Sequence, residues 1–153
     1  MNKEKSIAAL NMLIEIHNDR IEGYETASKE TDEKDLKKLF SQFSLSSKKC
    51  RQELVFEVHK LGGKPTEGLK TTGKIYRVWM DVKADLVGKD RQAILNSCEY
   101  AEDISVEAYN KTLKNYREFL TITLQTLLNA QCSLLKADHD KVKVLREMVL
   151  ERK

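Results

Sequence analysis

The chain has 153 residues, with 27 basic and 24 acidic side chains, a net charge of +3, 33% charged residues and 7% aromatic residues. That length buries a core within one domain without staples, and the interspersed signs exclude the concentrated basic face that nucleic acid or an anionic membrane requires. The three cysteines include no CxxC pair, the apolar positions after Met1 are periodic rather than continuous, and no apolar run approaches about 20 residues, so no disulfide framework, signal peptide or membrane span is expected. A soluble cytoplasmic protein is expected.

Helix breakers set the organisation, because five of the six glycines and the only proline lie between Gly62 and Gly88. The first predicted helix covers about residues 3–29, where Ile7, Leu10, Ile14, Ile21 and Tyr24 recur at three- and four-residue steps and His17 fills the gap. Glu30 to Lys34 reads as a short turn, with Thr31 or Asp32 capping a second helix over about 32–61. The stripe of that helix is Leu36, Phe40, Phe43, Ser47, Cys50, Leu54, Val58 and Leu61. Gly62-Gly63 and Pro65 end it.

The segment from Gly62 to Asp90 is too long for a plain loop. It contains a short helical pattern over about 73–86, with Ile75, Trp79, Val82 and Leu86 on one face. Asp90 can cap the next helix, over about 91–114, whose stripe is Ile94, Cys98, Glu102, Ser105 and Tyr109. A last helix over about 117–150 carries Leu124, Leu128, Gln131, Leu135, Asp138, Val142, Leu145 and Val149 on its stripe. It reads as longer than its partners, with an apolar overhang from Leu145 to Leu150 that would suit another subunit. Short turns make the first two and the last two long helices antiparallel hairpins. The long middle segment is long enough to cross the bundle, so the second and third long helices are expected to run parallel, the single-crossover arrangement of ferritin-like all-α four-helix bundles, in preference to an up-down-up-down bundle, which uses short loops throughout.

Several segments carry candidate chemistry. Gly68 to Ile75 nearly spells the phosphate loop GxxxxGK[ST], but Ile75 replaces the hydroxyl that holds magnesium and a helix, not a strand, precedes it. A bundle di-iron site needs Glu-x-x-His pairs. Ile14, Phe56 and Lys136 stand three residues before His17, His59 and His139, so the standard site is not encoded. His17, Glu102, Gln131 and Asp138 nevertheless fall within apolar stripes. A buried carboxylate needs compensation, either from a metal (iron, manganese or zinc) or from a hydrogen-bonded His17–Glu102 pair with Gln131. Glu99 and His139 flank the same stripes and complete the candidate metal set, while His59 is expected at the surface.

Cys50, Cys98 and Cys132 with His17 make a conceivable thiolate–imidazole zinc site. Cys132 lies off its stripe, and free cysteines ordinarily behave as small buried apolar side chains. No catalytic or cofactor-binding residue emerges. Arg77 and Trp79 on the crossover could mark a binding surface, or Trp79 could dock the crossover onto the bundle.

One resemblance adds to this reading. Leu10-Asn11 with Ile21-Glu22-Gly23-Tyr24, Glu53-Leu54 leading to Leu61-Gly62-Gly63-Lys64-Pro65, Gly73-Lys74 with Arg77 and Trp79, then Ile94-Leu95, Cys98-Glu99, Glu102-Asp103 and His139-Asp140 occur in one order and spacing. Together, over residues 7 to 147, they resemble bacterial ferritin-like four-helix-bundle proteins grouped as a domain of unknown function. The resemblance implies a ferritin-like bundle in a bacterial cytoplasm and no established activity. Tyr76 stands where a histidine is expected before Arg77 and Trp79. The expected function is that of a non-enzymatic bundle that associates with itself or another protein, with a stress-linked role drawn only from analogy of fold. The alternative is a metal-binding or redox bundle with a non-standard core site.

Overall fold

The computed structural model describes residues 2–69 and 73–151, with side chains to residue 149. Five α-helices form: α1 (Lys3–Glu30), α2 (Lys34–Lys60), α3 (Gly73–Gly88), α4 (Arg91–Asn115) and α5 (Ile122–Glu151). No strand occurs among the described residues.

Local chemistry explains where the helices begin and end. The Asn2 side chain accepts from the Lys5 N–H at 3.1 Å and starts α1, and Asp90 accepts from the Ala93 N–H at 3.3 Å and starts α4. Gly62 adopts φ 81°, and the N–H groups of Gly62 and Gly63 close onto the carbonyls of His59 and Val58 at 3.0 Å. Two expected helix starts are corrected. Neither Thr31 nor Asp32 caps α2: Glu33 is the cap residue and makes no side-chain cap bond, while Thr31 Oγ1 accepts from the Glu33 N–H at 3.2 Å and closes the turn instead. The last helix starts at Ile122 rather than near 117. Arg117–Phe119 forms a 3-10 turn, the Thr121 hydroxyl accepts from the Leu124 N–H at 3.2 Å, and Gln125 donates back to the Leu120 carbonyl at 3.0 Å.

Contacts between helix ends give the topology. Arg91, at the start of α4, pairs with Glu33 at 2.9 Å and Asp35 at 2.7 Å, at the start of α2. Ser6, at the start of α1, donates to the Phe119 carbonyl beyond the end of α4. Helices α2 and α4 therefore run parallel, and α1 and α4 antiparallel. The crossover first follows α1, where Asn11 donates to the Lys64 carbonyl at 3.1 Å and Asn18 to the Gly68 carbonyl at 3.0 Å. These two asparagines are seven residues apart and share one helix face. Residues 70–72, part of the near phosphate-loop match, lie outside the described residues.

Helix α3 then fills the groove between α1 and α4. Val78 packs with Ala101 and Ile104 of α4, and Trp79 meets the Tyr24 ring edge-on at 4.9 Å. Trp79 thus docks the crossover, and a Cβ at Gly23 would overlap its ring. Two apolar clusters fill the bundle. One is built around Leu10, Leu13, Leu54, Val58, Leu124 and Leu128. The other gathers Tyr24, Leu36, Phe40, Phe43, Val82 and Leu95. Leu145 and Val149 pack against this second cluster, so they are part of the bundle and not a free apolar overhang.

Candidate functional site: a buried polar belt

Between the two apolar clusters, all four long helices contribute polar side chains. Arg20, His17, Ser47, Glu102 and Gln131 are at most 1% exposed, and Asp138 is 6% exposed. The stripes therefore place His17, Glu102, Gln131 and Asp138 inside, as expected. The residue that organises them is Arg20, which the periodicity had not singled out.

The Arg20 guanidinium engages both Glu102 oxygens, with Nε at 3.0 Å from Oε2 and Nη2 on Oε1. Nη2 also reaches Asp138 Oδ2 at 3.3 Å, and Nη1 donates to Ser47 Oγ. This bidentate fork is the geometry that guanidinium suits best. The rings of Tyr24 and Phe43 flank it, 5.3 and 5.9 Å from Cζ. Burial pushes the Glu102 and Asp138 carboxyls up from the usual carboxylate range, and the Arg20 charge opposes that rise. The carboxylates hold Arg20 firmly charged against its own burial.

The network continues in one direction. Ser47 Oγ accepts from Arg20 and lies 3.0 Å from His17 Nδ1, so its proton goes to that nitrogen. Tyr109 donates its hydroxyl proton to Gln131 Oε1 at 2.7 Å. It must therefore accept from His17 Nε2, 2.6 Å away. Gln131 Nε2 in turn donates to the Cys50 carbonyl at 3.1 Å and to Glu53 at 3.0 Å. His17 is thus the neutral Nε2–H tautomer, and its pKa is held well below 6.5, first by burial and then by the Arg20 charge. The expected His17–Glu102 bond is replaced: Arg20 takes Glu102, and His17 joins Ser47 and Tyr109.

Glu99 and His139 form a separate group nearer the surface. Glu99 Oε2 accepts from Arg146 Nε at 2.7 Å. His139 Nε2 lies 2.7 Å from Asp103 and 4.0 Å from Glu99, and Nδ1 lies 3.2 Å from Asp140. Among the described residues, no three His, Cys, Asp or Glu side chains are arranged to hold a metal ion. The belt does not fit one, because its carboxylates already face a cation and both His17 nitrogens are committed. Cys50, Cys98 and Cys132 are all free and buried. Cys132 is only 4% exposed despite lying off the stripe, with Sγ 3.7 Å from Asn110 Oδ1. Burial pushes the Cys50 thiol up to about 11 and raises the other two, which disfavours the thiolate form.

No helix of the described residues is long and apolar enough to cross a membrane. Residues 5–115 match the family described as "Domain of unknown function (DUF2383)". No curated protein matches the chain.

Proposed function

Because the chain belongs to the DUF2383 family, whose description carries no activity, we propose its role from the belt: a non-enzymatic bundle of ferritin-like topology, bacterial and cytoplasmic, that works by association with itself or a protein partner. The observation that carries this reading is the Arg20 guanidinium between Glu102 and Asp138. In a four-helix bundle, inward carboxylates on facing helices are the usual means of holding metal. Here an internal side chain supplies the positive charge, and His17 is spent on orienting Ser47 and Tyr109. The belt so arranged fixes which helix faces meet and leaves the surface to carry function.

The alternative is a redox or metal-storage bundle, and metal content separates the two. Protein purified without tag or chelator is incubated anaerobically with iron(II), desalted and analysed for iron, manganese and zinc. No retained metal is expected. Retention of about one or two equivalents per chain, as a bundle centre would hold, and its loss in Glu102→Ala would overturn the proposal.

A further inference from the structure

Helix α3 is apolar on two faces. Ile75, Val78, Trp79, Val82 and Leu86 turn inward. On the opposite side Tyr76, Met80, Ala84 and Val87 form a second stripe at four-, four- and three-residue steps. Tyr76, Met80 and Val87 are 40, 45 and 80% exposed, and Tyr100 of α4 beside them is 47% exposed. Tyr76, Arg77, Met80 and Tyr100 line one shallow groove there. Aromatic residues, methionine and arginine are the side chains enriched at protein interfaces.

From this stripe we infer that α3 is a self-association surface, on which a second copy of the chain lays its own α3 antiparallel across a two-fold axis near Met80. This deepens the association reading proposed above and rests on it. The charges beside the stripe select that partner. Arg77 and Asp81 lie on the same flank, four residues apart, and neither has an ion pair among the described residues, whereas Lys74 is paired with Glu107. In a two-fold arrangement residue i of one copy meets residue j of the other and the reverse. With Met80 facing Met80, the same flanks of the two helices face each other, and Arg77 of each copy meets Asp81 of its partner. Tyr76 of each copy packs over the small Ala84 of the other. Tyr76 and Ala84 are thus complementary in size, and the Arg77–Asp81 flank is complementary to itself in charge. A 16-residue helix is about 24 Å long, so the contact belongs to the small, reversible class of interfaces.

Sedimentation velocity over a range of concentrations tests this on the full chain. A monomer–dimer equilibrium is expected, and Met80→Glu should abolish it. Arg77→Asp and Asp81→Arg each place like charges in register and should weaken the dimer about tenfold or more. An equimolar mixture of those two variants restores both opposite-charge contacts and should recover wild-type affinity. Circular dichroism and the fluorescence of Trp79 confirm that each variant is folded. A chain that stays monomeric at every concentration would overturn the inference. A dimer that ignores all three substitutions would overturn it too, while leaving association through another face standing. Retained metal, by contrast, would overturn the functional reading without altering the dimer result.

Discussion

His17 shows how one side chain gives the bundle a pH response. Both ring nitrogens are used in the neutral form, and its pKa is depressed by burial and by Arg20. A histidine depressed in the folded state contributes stability above its unfolded value, and that stability is lost as pH falls through the folded value. Below about pH 6.5 the unfolded chain takes up a proton that the folded chain refuses, so melting temperature should fall. Glu102 and Asp138 act with the opposite sign: their raised carboxyls contribute most below about pH 4 and lose that contribution as pH rises. The His17 part is therefore read as a difference. The drop in melting temperature between about pH 7.5 and 5.5 should be smaller in His17→Gln than in wild type. Equal drops would show that His17 is not the titrating group. At this scale the stripes placed His17, Glu102, Gln131 and Asp138 inside, but not the residue that pairs them. Arginine is rarely fully buried, and Arg20 sits between Ile14 and Tyr24 as any surface residue might. Its signal was its spacing, three residues after His17 and four before Tyr24, together with two inward carboxylates that lacked a cation.

At the scale of elements, the crossover is held where backbone and ring meet. Trp79 lies against Gly23, and a Cβ there would force the ring away. Gly23→Ala should destabilise the protein by about 1–3 kcal/mol, the usual cost of overpacking, despite the better helix propensity of alanine. Trp79 is the only tryptophan, so its emission reports the change directly. A red shift with a lower urea midpoint is expected, and an unchanged spectrum with raised stability would contradict the close approach. Helix existence was legible from breakers and periodicity, and so was the stop at Gly62. Helix starts were less so, because a cap depends on which hydroxyl wins a local competition. Thr31 closed a turn instead of capping α2, and Thr121 capped α5 five residues later than the apolar pattern alone implied.

For the whole molecule, connection lengths had already implied parallel α2 and α4, and the Arg91 pairs at both N-termini bear this out. The pairing inside the belt was not legible, since it depends on side chains from four helices meeting at one level. Arg20→Met should cost about 3–5 kcal/mol, because it strands two buried carboxyls. The triple variant Arg20→Met/Glu102→Leu/Asp138→Leu should recover most of that loss, as buried ion clusters replaced by apolar groups often do. Urea unfolding checks both, and a triple variant no more stable than the single one would show that the belt contributes beyond charge compensation.

The belt also has a consequence for how the chain reaches its native state. Arg20 comes from the first hairpin, and Glu102 and Asp138 come from the second. Each hairpin is built from contacts near in sequence and can form early. Joining them requires a guanidinium and two carboxylates to lose their water together before the new bonds offset that loss. The slow step of folding is therefore expected to be the meeting of the hairpins, and refolding of the Arg20→Met/Glu102→Leu/Asp138→Leu variant should be faster than wild type if desolvation of these groups limits it.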